Sequence, residues 1–556
     1  MKRIALLFVL LSSICAYAQN GLSERVFLTT DRPVYLAGDR IWCSAFCFDA
    51  ATGSLSDFSS IAYIELHSAT SMVATGKVAL VGGRGGADIV IPAGVPTGNY
   101  VLVAYTAQNC NEDGFDFMTG ARTISIFNTS SSERVENGVE VVSEYKPSVP
   151  ASNIGRISVN VPEKAGQGST ASMTLFNPGK AATLSVSVRL EDGIAAPATL
   201  GADAFRASLK PGTSFSNNRI AEYEGEVITG RIVGLNPAQA DSLYGKFGFI
   251  SAPGNKSDVY SAPVRKGGDM IFFTSNIFGD KDLVCEIEGM DPDVACHMEL
   301  DSPFVNAAVS GIPTLELSGS LRDRLEKRTI CSRIEKNFYG KIIPDFLPVR
   351  PNTIFGQEVI TYRLDDYTRF PTMEEIIVEF IQELRVRRTS DRKRDIQVRL
   401  NDVFNSVRFS NNASLIMVDG IPVFDPERVL AYDPLLIETV NIYPYVYFVG
   451  TRSFEGIVNL ETYKGNMPGM TFEQNVRIVD FKGCSYPMIY SGTETGDAYP
   501  DYRQTAFWHP LVSMAAESEQ TFDVKLPEYP GTFVVEVTGF DEAGNPINYT
   551  TSFEVK

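Results

Sequence analysis

The chain has 556 residues, 44% hydrophobic and 21% charged, a globular composition that excludes wholesale disorder and collagen-like repeats. It carries 67 acidic against 49 basic side chains, a net charge of −18, and such a surface repels phosphate backbones, which disfavours a general nucleic-acid binder. The three histidines, His67, His297 and His509, leave almost nothing for a multi-histidine metal site. A conventional hydrolase is disfavoured and carboxylate chemistry stays open. At roughly 150 residues per domain the length implies three or four domains, and small β-domains raise that number.

Residues 1–18 read as a secretory signal: Lys2 and Arg3 precede an apolar stretch, and Ala16-Tyr17-Ala18 is a small-x-small cleavage site before Gln19. Cleavage removes two positive charges, taking −18 to −20. Ile14 stands where a lipoprotein signal wants a small residue before Cys15, which argues against a lipid anchor. No later run is long and apolar enough for a transmembrane helix. The expected location is exported, either outer-membrane-associated or periplasmic.

Residues 24–130 alternate as a β-sandwich. Clear strands are Arg25-Val-Phe-Leu-Thr-Thr30, residues 40–48, Tyr63-Ile-Glu-Leu-His67, Tyr100-Val-Leu-Val-Ala-Tyr105 and Thr123-Ile-Ser-Ile-Phe127. Residues 129–150 read as a linker. Two more sandwiches are expected at 152–215 and 219–305, then a helical or irregular connector at 311–366, within which 321–338 is helix-compatible. The spacing of Met373, Ile376, Ile377, Phe380, Ile381 and Leu384 predicts a helix over 373–386, capped by Thr372. Strands around a short helix or turn fill 396–465, including a tight turn at Asp419-Gly420, and β structure returns at 490–556. The fold class is therefore mostly β and multidomain, with about five small domains.

Seven cysteines follow the cleavage site. Cys43 and Cys47 face one side of a strand, too far apart to bond directly. Cys285 and Cys296 flank a turn-like Met290-Asp291-Pro292-Asp293 and either bridge a hairpin or stay buried thiols. Asn109-x-Asn111-x-Asp113-Gly114 echoes a calcium loop, but Gly120 stands where the bidentate glutamate belongs, so it reads as a polar loop. Asp501, Arg503 and His509 share one segment, read as a structural ion pair or cap. The basic run Arg385-Val-Arg-Arg-Thr-Ser-Asp-Arg-Lys-Arg394 is either a solvated helix end and turn or a dock for an acidic partner or anionic lipid. No nucleophile elbow, zinc-protease helix or phosphate loop occurs. The expectation is no enzyme, no cofactor and no metal.

The run Val26-Phe-Leu-Thr-Thr-Asp-Arg-Pro-Val-Tyr-Leu-Ala-Gly-Asp-Arg-Ile-Trp42 resembles the first strands of a macroglobulin-type domain of the alpha-2-macroglobulin family, with Asp31, Arg32, Tyr35 and Gly38 at the patterned places. Residues 490–556, through Asp501-Tyr-Arg-Gln-Thr-Ala-Phe-Trp-His-Pro510 and Gly531-Thr-Phe-Val-Val-Glu-Val-Thr-Gly-Phe-Asp541, resemble another such domain. Tyr35 and Trp42 are read as core aromatics. The family's trap is not implied: Cys484 lies in Lys482-Gly-Cys-Ser-Tyr-Pro487, not in a thioester run.

Residues 367–470 resemble the plug domain of TonB-dependent outer-membrane receptors. The resemblance rests on Ser414-Leu-Ile-Met-Val-Asp-Gly-Ile-Pro422, Ile437-Glu-Thr-Val440, and the stretch from Tyr447 through Gly456 to Gly465. Here the segment before Gly450 is aromatic where that family is more polar. Only 91 residues follow Gly465, too few for a receptor barrel of roughly 22 strands. Macroglobulin-type domains flanking a plug-like module resemble a class of Gram-negative envelope proteins. The expected function is a non-catalytic envelope binding or assembly protein whose plug-like module docks an outer-membrane barrel protein or envelope complex. The candidate partner-binding residues are Tyr443, Tyr445, Tyr447, Phe448, Arg452 and Phe454. The alternative is a periplasmic or extracellular protein- or glycan-binding module that reuses the plug fold.

Overall fold

The computed structural model describes residues 22–143, 153–191, 193–253, 258–291, 294–339, 359–389, 392–401, 407–492 and 500–556. The expected signal segment, 1–18, lies outside them. The chain is mostly β, as its composition of short alternating runs implies, and it divides into two compact units. No described helix is long and apolar enough to cross a membrane.

The first unit comprises residues up to 225, 304–348 and 483–556. Its N-terminal sandwich pairs a three-stranded sheet (Glu24–Thr30, Arg40–Asp49, Arg84–Val90) with a five-stranded one (Val34–Leu36, Arg122–Phe127, Gly98–Tyr105, Ile61–His67, Met72–Ala79). Ile41, Cys43, Ala45 and Cys47 point into this core against Ile64, Leu66, Leu102 and Ile124. The intervening Trp42, Ser44, Phe46 and Phe48 are buried as well, so this strand has no solvent face.

What covers that second face is another sandwich. Its sheets are Ser158–Asn160, Thr170–Asn177 and Ser518–Lys525, and Lys164–Ala165, Pro546–Val555, Gly531–Asp541, Ala182–Leu190 and Thr505–Met514. The separate sandwiches expected at 152–215 and 490–556 are therefore one discontinuous domain. The Ala182–Leu190 strand is hydrogen-bonded on both sides by strands from the C-terminal region. Periodicity reveals a strand's faces but not its neighbours, which explains the difference.

The two sandwiches meet through apolar and polar contacts. Phe27, Phe46 and Phe48 pack on Phe540 and on Phe205 of the Ala202–Ser208 helix. Both tryptophans of the chain, Trp42 and Trp508, are buried with Met488 and Tyr490. Beside them lies the buried Asp31 carboxylate. It accepts from the Tyr35 hydroxyl at 2.6 Å, the Trp42 N–H at 3.1 Å and the Thr505 hydroxyl at 2.7 Å. Ser187 donates to the Asp31 carbonyl at 2.5 Å. Arg32 pairs with Asp39 at 3.1 Å, and Asp39 also receives Ser332 and Lys336, both at 3.0 Å, from the helical segment built on Arg322–Ile334 and Glu335–Tyr339.

Nearby, Arg503 clasps Asp501 through three hydrogen bonds of 2.6–2.9 Å and lies 5.0 Å over the Tyr490 ring. This is the structural pair expected there, while His509 stands apart from it. The expected linker at 129–150 is partly ordered, because Val139–Val141 pairs in parallel with Leu315–Leu317; residues 144–150 lie outside the described ones. The 303–312 stretch is pinned by Glu65, whose carboxylate accepts from the N–H groups of Val305, Asn306 and Ala307 at 2.7–3.0 Å. Asn111 exchanges hydrogen bonds with the Arg219 backbone at 2.6 and 3.0 Å, so this residue of the calcium-loop echo ties down a polar loop.

The second unit comprises 226–303 and 349–482. Its sandwich has the sheets Asp269–Phe273, Val227–Val233, His297–Leu300 and Asp258–Pro263, Phe247–Ala252, Lys281–Ile287, Arg477–Phe481. The last strand arrives only after the α+β module. Cys285 and Cys296 lie in one core but lead into different sheets, not opposite positions of a hairpin, and both are free thiols.

The module is a mixed sheet (Ile360–Arg363, Ile437–Val449, Arg452–Thr462, Leu415–Val418, Ile421–Pro422) with a small sheet (Leu384–Arg388, Arg394–Asn401, Val407–Phe409) and the helices Met373–Glu379 and Pro426–Leu430. The expected helix over 373–386 is shorter. Thr372 and Glu375 form the capping box, but the helix ends at Glu379 and Leu384–Arg388 is a strand. Ile381 and Leu384 remain in the core, so the spacing reported burial while strand pairing decided the backbone. Asp419 and Gly420 both have positive φ and close a two-residue hairpin. The Asp419 carboxylate also accepts from Thr462 N–H at 2.7 Å and Met467 N–H at 2.8 Å, tying the turn to the neighbouring strand end.

Replacing Asp31 by Ala strands the buried Tyr35 and Thr505 hydroxyls and removes one of the two carboxylates beside Arg32. Asp31→Ala is expected to lower the unfolding free energy by about 3–5 kcal/mol, and Thr505→Val by about 1 kcal/mol. Urea unfolding followed by the fluorescence of Trp42 and Trp508 measures both. A pH effect is expected at His509, where burial lowers the pKa to about 4 and Nδ1 accepts the Leu511 N–H at 3.2 Å. As pH falls below the ordinary histidine value of about 6.5, the unfolded chain takes up a proton that the folded chain refuses until about pH 4. Stability present above that window is lost within it, on the order of 1–3 kcal/mol. In unfolding curves across this range, His509→Gln should show a correspondingly flatter pH dependence than the unsubstituted chain.

Candidate partner-binding site

The six aromatic and basic residues singled out in the sequence lie on one long hairpin, Ile437–Val449 returning as Arg452–Thr462. Its turn is tight at Gly450, whose φ is +58° and where a Cβ would meet the Ser261 carbonyl oxygen at 2.4 Å. Glycine is required there by both the left-handed backbone and the close approach. The Ser261 hydroxyl donates to the Val449 carbonyl at 2.5 Å, joining the hairpin tip to the sandwich strand Asp258–Pro263. The register shifts between Tyr443 and Val446, where Pro444 offers no N–H for a ladder bond.

The structure does not bring the six residues together as one open surface. Tyr443 and Phe454 are each 2% exposed, and Tyr447 is buried with them against Phe249, Leu415, Met417 and Ile457. Phe249 belongs to the sandwich and lies 4.9 Å from Phe424 and 6.2 Å from Phe454, ring centre to ring centre. Burial pushes the Tyr447 hydroxyl pKa up to about 12. Tyr445 is half-buried at the edge of the same cluster. Arg452 donates to the Glu288 carboxylate at 2.7 Å and lies over the rings of Phe454 and Phe247 at 5.1 and 5.6 Å. These side chains join the module to the chain's own sandwich. Of the six, only Phe448 is openly exposed, at 71%. Val446, 50% exposed on the same face, was missed. The alternation of Val446 and Phe448 with Tyr447 and Val449 was the available signal, since successive strand residues face opposite ways.

The basic run is a hairpin, not a helix end: Leu384–Arg388 pairs with Arg394–Asn401. Arg394 is held by Glu427 and by Glu374 at 2.7 Å. Arg385 donates to Gln397 at 2.8 Å and stacks 4.0 Å over Phe409. Among the described residues, no group of three or more His, Cys, Asp and Glu side chains is arranged to hold a metal ion.

No family model matches the chain, and no curated protein matches it. Among solved structures it is similar to Salmonella alpha-2-macroglobulin reacted with methylamine, at 9% identity and a TM-score of 0.24, over 96% of this chain and 40% of that one. The native conformation of the Escherichia coli alpha-2-macroglobulin gives 8% identity, 96% and 40% coverage, and the same TM-score. The Escherichia coli adhesin FdeC gives 11% identity over 49% of this chain and 62% of that one, with a TM-score of 0.15. The chain thus spans 40% of the macroglobulins' length, and at these scores none of the three defines a role for it.

Proposed function

We propose that this is a non-catalytic binding or assembly protein of a Gram-negative envelope, exported, whose plug-like module docks an outer-membrane barrel protein. One observation carries the reading. The aromatic hairpin has its inner face fixed to the sandwich by Arg452, Phe454 and Ser261, while its outer face offers Val446 and Phe448 to solvent. A rigid strand presenting an apolar pair suits an interface anchor, because little conformational freedom is lost on binding. On this reading the contact face lies on the side of the hairpin opposite the buried Tyr443, Tyr447 and Phe454.

The alternative, a periplasmic or extracellular protein- or glycan-binding module that reuses the plug fold, has a supporting observation for its glycan form. Tyr367 and Phe380 stack at 4.3 Å with rings 3° from parallel, flanked by Tyr362 and Phe370, and Tyr367 is 42% exposed. Exposed flat aromatic rings offer a stacking platform to the apolar face of a sugar. Fractionation separates the readings: outer-membrane recovery favours docking, and the free periplasm favours the alternative.

Co-purification from detergent-solubilised outer membranes tests the proposal. The full chain should recover a barrel protein, and Val446→Ser with Phe448→Ser should lose it while leaving the unfolding midpoint within experimental error. Phe454→Ala should instead destabilise the chain by about 3–5 kcal/mol through the cavity it leaves. A consistently monomeric, soluble protein with no barrel partner overturns the docking reading.

A further inference from the structure

The Leu384–Arg388 strand is one of the two outer strands of the three-stranded sheet in the second unit, Val407–Phe409 being the other. The Thr389 N–H donates to the Lys393 carbonyl at 2.8 Å, and the Arg399 N–H to the Glu383 carbonyl at 2.7 Å. These bonds set the ladder phase, so Arg385 and Arg387 exchange hydrogen bonds with Gln397 and Asp395. Val386 and Arg388 therefore turn their N–H and C=O groups away from the sheet, and no described residue bonds them. The edge is open for one more strand.

The exposed side chains of the edge strand are basic, and Asp395 stands across from Arg387 as the carboxylate facing them. Leu384 and Val386 face the core with Ile396 and Val398. Arg385, Arg387 and Arg388 are exposed, and among the described residues none of them forms an ion pair with a carboxylate. Arg388 stands directly across from Arg394, whose own charge is met by Glu374 and Glu427. Burial pushes the Asp395 carboxyl up and the charge of Arg387 opposite it pulls it down, without ion-pair contact, while Arg385 and Arg388 face no carboxylate across the ladder. In a chain of net charge −18 this is a local reversal of sign. Charges on an open edge keep a strand from pairing indiscriminately. Three guanidinium groups repel a basic strand, yet they attract an acidic one.

We propose that the Leu384–Arg388 edge receives an extended acidic segment of a partner polypeptide by strand addition. The backbone groups of Val386 and Arg388 would bond the added strand while Arg385 and Arg387, which share one face, meet its carboxylates. Main-chain bonds then supply register and the arginines supply selectivity. The inference deepens the binding reading above, because it names a second contact surface and the chemistry of what it takes.

The probe is a short labelled peptide of alternating glutamate and valine, titrated into the full chain and read by fluorescence anisotropy. Saturable binding is expected, with affinity falling as salt rises. An Arg385→Glu, Arg387→Glu double variant should bind about tenfold or more weakly. So should Val386→Pro, which removes an outward N–H that the sheet does not use. The same peptide N-methylated at alternate residues keeps its charge but cannot pair, and it should lose binding to the unaltered protein. Equal binding of the methylated peptide overturns strand addition. Binding to phosphatidylglycerol vesicles without binding to the peptide overturns it as well, as does self-association that the double charge variant abolishes in place of peptide binding. Recovery of a barrel partner by a chain that ignores the peptide overturns this inference and leaves the docking reading standing. Peptide binding without any barrel partner supports this inference and removes that reading.

Discussion

The Arg40–Asp49 strand has two buried faces, and the first unit is organised around that constraint. A strand of a two-layer sandwich ordinarily keeps one face wet. Here Ile41, Cys43, Ala45 and Cys47 fill one core, while Trp42, Phe46 and Phe48 need another surface. The second sandwich supplies it, and the chain reaches back from its C-terminal strands to do so. The Asp31 carboxylate sits at this seam with bonds to its own loop and to Thr505. A buried carboxylate is tolerable when its lone pairs are filled, and filling them here demands that both sandwiches be in place. The loop that supplies Asp31, Arg32, Tyr35 and Asp39 thus acts as a clasp between the sandwiches and the Arg322–Ile334 helix.

A comparable economy operates in the second unit. The aromatic hairpin looks in sequence like a surface meant for another molecule, and most of its apolar area is spent on the sandwich of the same unit. Phe249, Phe424 and Phe454 form one cluster with Tyr443 and Tyr447, and Arg452 covers it while pairing with Glu288. Charge is distributed by the same rule. Arg394, Arg408 and Arg452 each form an ion pair with a carboxylate, whereas on the Leu384–Arg388 edge only Arg387 faces one, Asp395, and without ion-pair contact. The groups left over after internal pairing, Val446 and Phe448 on one strand and the arginine edge on another, are the natural candidates for outside contacts.

Much of the architecture was legible in the sequence. Two-residue alternation identified the strand faces, and Thr372 with Glu375 marked a helix start that is present. Asp419-Gly420 identified a tight hairpin, and the Asp501 and Arg503 pairing followed from proximity. The candidate site was less legible. An aromatic-rich strand carries no label for whether its aromatics face a core or a partner, and Tyr447 and Phe448 differ only in parity. The basic run likewise fits a helix end or a hairpin equally well until its partner strand is known.

By itself the sequence determined local properties: a mostly β chain, the periodicity of its strands, the turns that glycine and aspartate permit, and an acidic net charge with a strong basic cluster at 385–394. Tertiary structure decided everything that depends on which strand lies beside which. It joined residues 158–190 to 505–555 as one sandwich, completed the sandwich of the second unit with Arg477–Phe481, and turned the aromatic hairpin inward. The reason is that side-chain direction is set by neighbouring φ and ψ angles, whereas sheet pairing is a contest among distant segments for the same hydrogen bonds and the same apolar cover.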